Sequence, residues 1–249
     1  MNPTRALLRV VAFALLLTAL FSTASGQIEA KNWGKNTSGA SLAFYEGPRQ
    51  KSAQGTILTY NLIGKGFPAE VAYTLWQWKP DNEPKAVMQG VSFDKRGVLV
   101  CSGRQGFCKG DGPDDPINIK TTAVLGEPKR MAVVSPDGKI AGFAEAVPFP
   151  IEASDNHCKL SVVRMDALAE TVVARGSGFT PNESLTVTTQ SNDEGATTKN
   201  NAGPEGDWTS VIIGAPKGQS KGKTSISVTG QSCKVAVSFA WGVGSNHPM

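Results

Sequence analysis

Hydrophobic residues along this chain fall into short runs, and in many runs they alternate with polar residues. A period of two is typical of a β-strand with one buried face, whereas an amphipathic helix has a period of about 3.6. Clusters of Gly, Pro and Asp separate the runs and indicate turns, and Ala167–Glu170 is predicted as a short turn. The pattern predicts an all-β protein of short antiparallel strands. The predicted strands are Ile57–Ile63, Val71–Trp78, Val98–Val100, Met131–Val134, Ile140–Val147, Leu160–Arg164, Thr171–Arg175, Leu185–Thr189, Trp208–Ile213, Ser225–Thr229 and Val235–Trp241.

A proline-containing segment, Val147–Glu152, divides these strands into two series. Its alternating prolines cannot donate to a central ladder and favour an extended connector. Regular spacing of short strands favours sandwiches over a parallel sheet, so we predict two tandem antiparallel immunoglobulin-like β-sandwiches. The predicted segments are a cleaved signal peptide at residues 1–26, a loose N-terminal arm at 27–55, domain 1 at 56–150, domain 2 at 151–243 and a flexible tail at 244–249. Within the arm, only Ser41–Tyr45 has the pattern of a strand.

The two series share sequence markers, which is typical of repeats of one unit. Gly64–Pro68 matches Gly176–Pro181 at an offset of 112 residues, and each segment lies between two strands. We expect the glycines to allow a bend with positive φ at the strand end, and the Phe to pack under that bend and cap the core. A second marker pairs the turn Asp94–Gly97 with Pro204–Asp207.

The third marker indicates an insertion in domain 1. Ser135–Gly138 corresponds to Thr229–Gly230, and the distance from the second marker is longer in domain 1 by about 17 residues. The extra residues include Cys101–Cys108 and the acidic stretch Gly110–Pro116. We therefore expect the two domains to share a frame and to differ in this loop.

The marker of domain 2 resembles a known family. Gly176–Glu183 reads Gly-x-Gly-Phe-x-Pro-x-Glu before an alternating strand, and Glu205–Trp208 forms a later acidic-Gly-aromatic turn. This resembles bacterial immunoglobulin-like domains of the IPT/TIG kind, over most of domain 2 and more loosely in domain 1, where Pro68 directly follows Phe67. The resemblance implies a sandwich fold, and a role as a spacer, an adhesion module or an appendage beside enzymes in cell-envelope proteins.

Four cysteines in an exported chain favour two disulfides over a metal site, because no two cysteines have the C-x-x-C spacing. Three connectivities are possible. We favour Cys101 with Cys108 and Cys158 with Cys233, since each pair then stays within one domain. In the immunoglobulin-like frame that the resemblance implies, Cys158 and Cys233 open the first and last strands of domain 2 and lie at one end of the sheet.

The first residues have the order of a secretory signal peptide. Arg5 and Arg9 precede the apolar run Val10–Phe21, and small residues follow up to Gly26, where we expect cleavage. The run has 12 residues, and a membrane-spanning helix takes about 20, so an uncleaved anchor is the weaker alternative. We predict a secreted or periplasmic bacterial protein with no membrane span after cleavage.

The composition narrows the class of partner. Hydrophobic residues make up 40% of the chain and charged residues 18%, which fits folded domains with many turns. The formal net charge of +4 includes the two arginines of the signal peptide, which cleavage removes. The other basic residues are spread along the chain. Such a weak, dispersed charge does not predict nucleic-acid binding. We expect an envelope or extracellular protein, or a glycan, as partner.

Residues for catalysis are few. The two histidines are His157, beside a cysteine, and His247, close to the last residue, so a His-centred triad or a His-rich zinc site is not predicted. The sequence contains no G-x-S-x-G, no H-E-x-x-H and no Gly-rich phosphate loop before a helix. A carboxylate pair of the glycosidase kind stays open, because sequence does not give the separation of two acids. We expect no enzymatic activity and no cofactor.

The inserted loop is one candidate ligand site. Asp111, Asp114 and Asp115 are hard oxygen ligands within five residues, a composition that Ca²⁺ accepts, but their spacing is not that of an EF-hand. A solvated Gly/Pro/Asp turn explains the same residues, and we predict no metal.

Trp76 and Trp78 are the second candidate. Two residues apart on a strand, their rings point to the same face, and on an open face they would form a platform for a sugar ring. Val71, Tyr73 and Leu75 occupy the other face, and core packing of the two tryptophans is the competing interpretation. For Phe67, Phe179, Trp208 and Trp241 we predict core packing.

These observations favour a non-enzymatic secreted or cell-envelope protein that acts as a structural or adhesive module and presents loops, chiefly Cys101–Pro116, to a protein partner. The alternative is a carbohydrate-binding module that uses the face of Trp76 and Trp78. An enzyme with an unrecognised carboxylate site is a third hypothesis.

Overall fold

The structure is a computed structural model that describes residues 33–53, 55–101, 115–246 and 248–249. All regular elements in these ranges are β-strands, so the all-β prediction is confirmed. The strands are β1 (Ser41–Glu46), β2 (Gln50–Ser52), β3 (Gly55–Lys65), β4 (Tyr73–Trp78), β5 (Lys85–Phe93), β6 (Leu99–Cys101), β7 (Ile119–Thr122), β8 (Lys129–Val134), β9 (Ala141–Ala146), β10 (Ile151–Asp155), β11 (Cys158–Arg164), β12 (Thr171–Ser177), β13 (Ser184–Ser191), β14 (Glu194–Asn201), β15 (Trp208–Ile213), β16 (Lys221–Thr229) and β17 (Lys234–Gly242).

Two antiparallel sheets form the first half. In one sheet the central strand β3 pairs with β1 and β2, and also with β7; the other has the order β6-β5-β4-β8-β9. Alternate residues of β3 and β4 point between the sheets, where Leu62, Tyr73 and Leu75 are buried in one cluster. Alternation therefore supplies a core to both sheets at once.

The second half repeats this arrangement. Its sheets have the orders β10-β11-β12-β15 and β14-β13-β16-β17, again with antiparallel pairing. Leu160, Leu185, Ile226 and Trp241 are buried between them. The order β14-β13-β16-β17 matches β5-β4-β8-β9 of the first half, so the chain contains two tandem sandwiches that share the strand order of one sheet.

The shared marker has the predicted local geometry. Gly66 and Gly178 have φ of +74° and +82°. A Cβ at Gly178 would collide with the carbonyl oxygen of His157, which a glycine avoids because it has no side chain. Phe179 is buried and packs over Gly176, where Trp208 also approaches. Each marker therefore packs the end of one strand closely against the start of the neighbouring strand.

Several elements differ from the prediction. Residues 27–55, predicted as a loose arm, pair with domain 1: the strand-like run Ser41–Tyr45 lies in β1, both β1 and β2 pair with β3, and the backbone N–H of Thr37 donates to Ala141. β10 begins inside the predicted connector, because Ile151 is buried and pairs with Val162. The polar strand β14 was not predicted, since pairing with β13 forms it without a buried face.

Domain 2 and the last residues contact domain 1 at a junction. Gly126 of domain 1 accepts a hydrogen bond from the backbone of Arg164 (2.9 Å). The backbone N–H of Met249 donates to Ala123 (2.9 Å), and Pro248 bridges to Val124. Residues 244–249, predicted as a flexible tail, are therefore partly ordered by hydrogen bonds to domain 1. Within the described ranges, no helix has the length and apolarity needed to cross a membrane.

Candidate functional site

Trp76 lies on the outer face of the sheet β6-β5-β4-β8-β9, opposite the core residues Tyr73 and Leu75. It is only 8% exposed, because Ala132, Val134 and Trp33 pack against it. Its indole N–H has no hydrogen-bond partner among the described residues. Trp76 is consequently a packed residue of a second small cluster and offers no ring face to a ligand.

Trp78 is half-buried beside the same cluster. Its Nε1–H donates to the carbonyl oxygen of Asn82 (2.6 Å), and the ring of Trp33 meets it edge-on at 5.2 Å. The guanidinium of Arg130 lies 5.0 Å from the indole centroid and donates from Nε to Glu145 (2.7 Å). The two tryptophans point to one face as predicted, but Trp33 and Arg130 cover much of it, so the open two-ring platform is not formed.

A groove of about 390 Å³ runs beside Trp78. Its charged lining residues are Lys79, Lys120, Lys129, Arg130 and Glu127. The ammonium of Lys129 is buried and contacts Glu127 (2.9 Å) and the carbonyl oxygen of Thr122 (3.0 Å). Lys79 and Lys120 are exposed, so the groove presents positive charge next to one aromatic edge. Proximity of β7 and β8 to Trp78 creates this groove, and no short motif in the sequence signals it.

The acidic loop falls mainly outside the described residues, which exclude Asp111, Asp114 and Cys108. Asp115 is exposed. Cys101 is buried and disulfide-bonded. The interpretation of this loop as a solvated turn rather than a Ca²⁺ site stays a prediction.

The predicted disulfide between Cys158 and Cys233 is present, with 6.3 Å between the two Cα atoms. It joins the start of β11 to the residue before β17, so the disulfide links these two strands at one end of domain 2. His157 lies beside it, with its ring nitrogen and both sulfurs within 4.8 Å of one another. Because the sulfurs are bonded to each other, they are not thiolate ligands for a metal in this state.

One side of the edge strand β15 is open, and two hydrogen bonds show which of its backbone groups face β12 and which face away from the sheet. The N–H of Gly214 donates to Glu170 (2.7 Å), and the N–H of Met165 donates to Thr171 (3.0 Å). Continuing the alternation of an antiparallel ladder, Ser210 and Ile212 point their backbone groups toward β12. The backbone groups of Thr209, Val211 and Ile213 therefore point away from the sheet, and no strand among the described residues pairs with them.

Two apolar side chains of this edge are exposed. Val211 is 59% exposed and Ile213 is 76% exposed. From Trp208 to Ile213 the strand contains no charged residue and no proline, which are the usual protections of an edge. By contrast, the edge strand β14 carries Glu194 and Lys199. The alternation of β15 was recognised in the sequence, but sequence does not tell which strand lies at an edge.

No protein-family model and no curated protein sequence matches the chain, so the resemblance to IPT/TIG domains stays a prediction. Among solved structures, the chain is similar to a tetra-tandem repeat in the extending region of a large adhesion protein, with 14% identity and a TM-score of 0.28 over 83% of this chain and 50% of that one. It is also similar to red sea bream transglutaminase, with 11% identity and a TM-score of 0.24 over 79% of this chain and 30% of that one. The chain thus spans half or less of each structure, and scores this low carry no argument about function.

Proposed function

We propose that this chain is a non-enzymatic, exported structural or adhesive module that binds protein partners through the open edge of β15. The proposal rests on one observation: the backbone N–H and C=O groups of Thr209, Val211 and Ile213 point away from the sheet. The apolar side chains of Val211 and Ile213 are exposed beside them. Such an edge accepts an extended segment of another protein as one more strand.

The surroundings of the edge favour recognition of a protein strand. A groove of about 290 Å³ lies at the end of β15, lined by Ile213, Ala215, Glu194 and Lys217 among others. In strand addition the main chain supplies affinity, and pockets for side chains supply specificity. The groove offers a place for a side chain of the added strand.

The rest of the molecule suits an exported scaffold. The disulfide between Cys158 and Cys233 favours an oxidising compartment, in agreement with the predicted signal peptide. Hydrogen bonds at Gly126, Arg164 and Met249 link the two sandwiches, so a load on one domain is transmitted to the other. We assign the domains to the IPT/TIG-like immunoglobulin class as part of this proposal.

Cross-linking in the cell-envelope fraction of the source organism tests the proposal. The purified chain should cross-link to a discrete protein, and Val211→Lys should abolish the product, because a charge on the edge opposes pairing. The matched control is Val87→Lys, which changes an exposed valine of β5 in domain 1 and should leave the product unchanged. A product that survives Val211→Lys, or no product with the unmodified chain, would contradict the proposal.

One observation favours a second candidate, binding of an acidic glycan in the groove beside Trp78. The exposed ammonium groups of Lys79 and Lys120 flank an aromatic edge, a combination that suits a sugar carboxylate. A uronic-acid polysaccharide should bind the chain while a neutral one does not, and Trp78→Ala with Lys120→Ala should remove the binding. Equal binding of both polysaccharides, or of neither, would exclude this candidate.

A further inference from the structure

We infer that one partner of the β15 edge is a second copy of this chain, paired antiparallel about Val211. The inference rests on the proposed function, since it names an occupant for the same edge. Two copies related by a two-fold axis bring the same patch of each together, so the patch must be complementary to itself. Backbone direction, apolar side chains and flanking charges each meet this requirement.

The backbone permits one full register. In an antiparallel pair, residues that face the partner strand sit opposite one another and exchange two hydrogen bonds. The outward-facing residues of β15 are Thr209, Val211 and Ile213. When Val211 lies opposite Val211 of the second copy, Thr209 lies opposite Ile213 and all three outward residues of both copies are paired. A shift by two residues in either direction leaves at least one of them unpaired.

The side chains on the outer face continue across this pair. Within one copy, Val163, Val173 and Val211 occupy neighbouring strands at one level of the outer face. The proposed register extends this row directly into the same three residues of the second copy. Ile213, the most exposed large apolar side chain among the described residues, packs beside Thr209 of the second copy instead of facing water.

The charges beyond the two ends of β15 also complement each other. Glu205 precedes the strand and Lys217 follows it, and both are exposed. Each lies six residues from Val211, in the turn beyond its end of β15, so an antiparallel pair about Val211 places Glu205 of one copy at the same end as Lys217 of the other, twice in the pair. Opposite charges at these places select the antiparallel two-fold arrangement, while β15 itself brings no charge into the contact.

Sedimentation equilibrium of the purified full chain tests the inference. We expect a reversible dimer, and we expect Val211→Lys to weaken it by about tenfold or more, because two ammonium groups would meet on the two-fold axis. Val87→Lys should dimerise like the unmodified chain, and both variants should keep its melting temperature because both valines are exposed. A chain that stays monomeric at high concentration, or a dimer that is insensitive to Val211→Lys, would overturn the inference.

A charge exchange tests the register separately. Glu205→Lys should weaken the dimer, as should Lys217→Glu, and the double variant should recover most of the loss because the two ion pairs are restored with reversed signs. No recovery in the double variant would contradict pairing about Val211. If the chain is monomeric but still cross-links to an envelope protein in a Val211-dependent way, this inference fails and the proposed function stands. If dimerisation depends on Val211 while no other protein is captured, the edge of β15 binds a second copy of this chain and no other protein.

Discussion

The guanidinium of Arg164 donates a 2.6 Å hydrogen bond to the carbonyl oxygen of Ser245. Arg164 ends β11 inside domain 2, and Ser245 begins the segment that returns to domain 1. Burial lowers the pKa of this guanidinium, while the charges of Glu127 and Asp166 act in the opposite direction. A buried cation therefore holds the last residues of the chain in the junction.

Replacing this cation should release the last residues. In Arg164→Met the charge-assisted hydrogen bond to Ser245 is lost, and we expect the amide of Met249, which bonds to Ala123, to exchange hydrogen about tenfold faster or more. Native-state hydrogen exchange measures this. The control Arg175→Met changes an exposed arginine of β12 and should leave the rate unchanged. Equal protection of Met249 in both variants would show that Arg164 does not hold the tail.

Removing the disulfide should destabilise domain 2 alone. Cys158 and Cys233 close a loop with a sequence separation of 75 residues, and the chain-entropy model gives about 4 kcal/mol of stabilisation for a loop of this size. The double variant Cys158→Ser and Cys233→Ser should lower the free energy of unfolding of domain 2 by about this amount. Calorimetry should show the domain 1 transition at its original temperature. A uniform shift of both transitions would mean that the two sandwiches unfold as one unit.

Domain 1 should lose stability in alkali. Burial raises the pKa of Tyr60 to about 12, with a further contribution from the charge of Glu46, and burial likewise raises the pKa of Tyr73 to about 12. The hydroxyl of Tyr73 also donates to the carbonyl oxygen of Pro68 (3.0 Å). The folded pKa values lie above the unfolded value of about 10, so the stabilisation is complete below pH 10 and is lost as the pH rises through 12.

The size of the alkaline effect can be measured ring by ring. Two pKa units correspond to at most roughly 3 kcal/mol for each tyrosine, and solvent screening of the hydroxyl reduces this. Denaturant titrations between pH 9 and pH 12 should show domain 1 weakening with pH, and Tyr73→Phe should remove about half of that dependence. Domain 2 contains no tyrosine and serves as the internal control. A domain 1 stability that is flat over this range would contradict the burial of both hydroxyls.

Uncovering the outer tryptophans should change their fluorescence. Trp33 meets Trp78 and Phe143 edge-on and covers Trp76, so Trp33→Ala should expose both remaining indoles of the cluster. We expect a red-shifted emission and a loss of about 2 kcal/mol in the stability of domain 1. Trp33→Phe, which keeps an aromatic cover, should retain most of both. Unchanged emission in Trp33→Ala would mean that Trp33 does not shield the cluster.

Sequence patterns predicted those elements whose burial alternates. β3 and β17 bury every second residue, so the alternation of apolar and polar residues was enough to predict both strands. β14 is polar on both faces, and only its pairing with β13 defines it. β10 was missed because Pro148 and Pro150 directly precede it, and alternating prolines predict a connector and not a strand.

The candidate sites show the same limit. Alternation placed Trp76 and Trp78 on one face, but the residue that covers them, Trp33, lies far away in sequence. Its segment is held against β9 by hydrogen bonds of Asn36 and Thr37, which the sequence does not reveal. The uncharged character of Trp208–Ile213 is plain in the sequence. Its importance depends on which strands are neighbours, because the same residues in a central strand would be ordinary core.

The direct test of the open edge is residue-resolved amide hydrogen exchange of the purified chain at low and high concentration. At low concentration the amides of Thr209, Val211 and Ile213 should exchange rapidly, while those of Ser210 and Ile212, which point to β12, should be protected. At high concentration the first three should become protected in step with dimer formation. Protection of Val211 in the dilute monomer would contradict the account, because the edge of β15 would then already be paired.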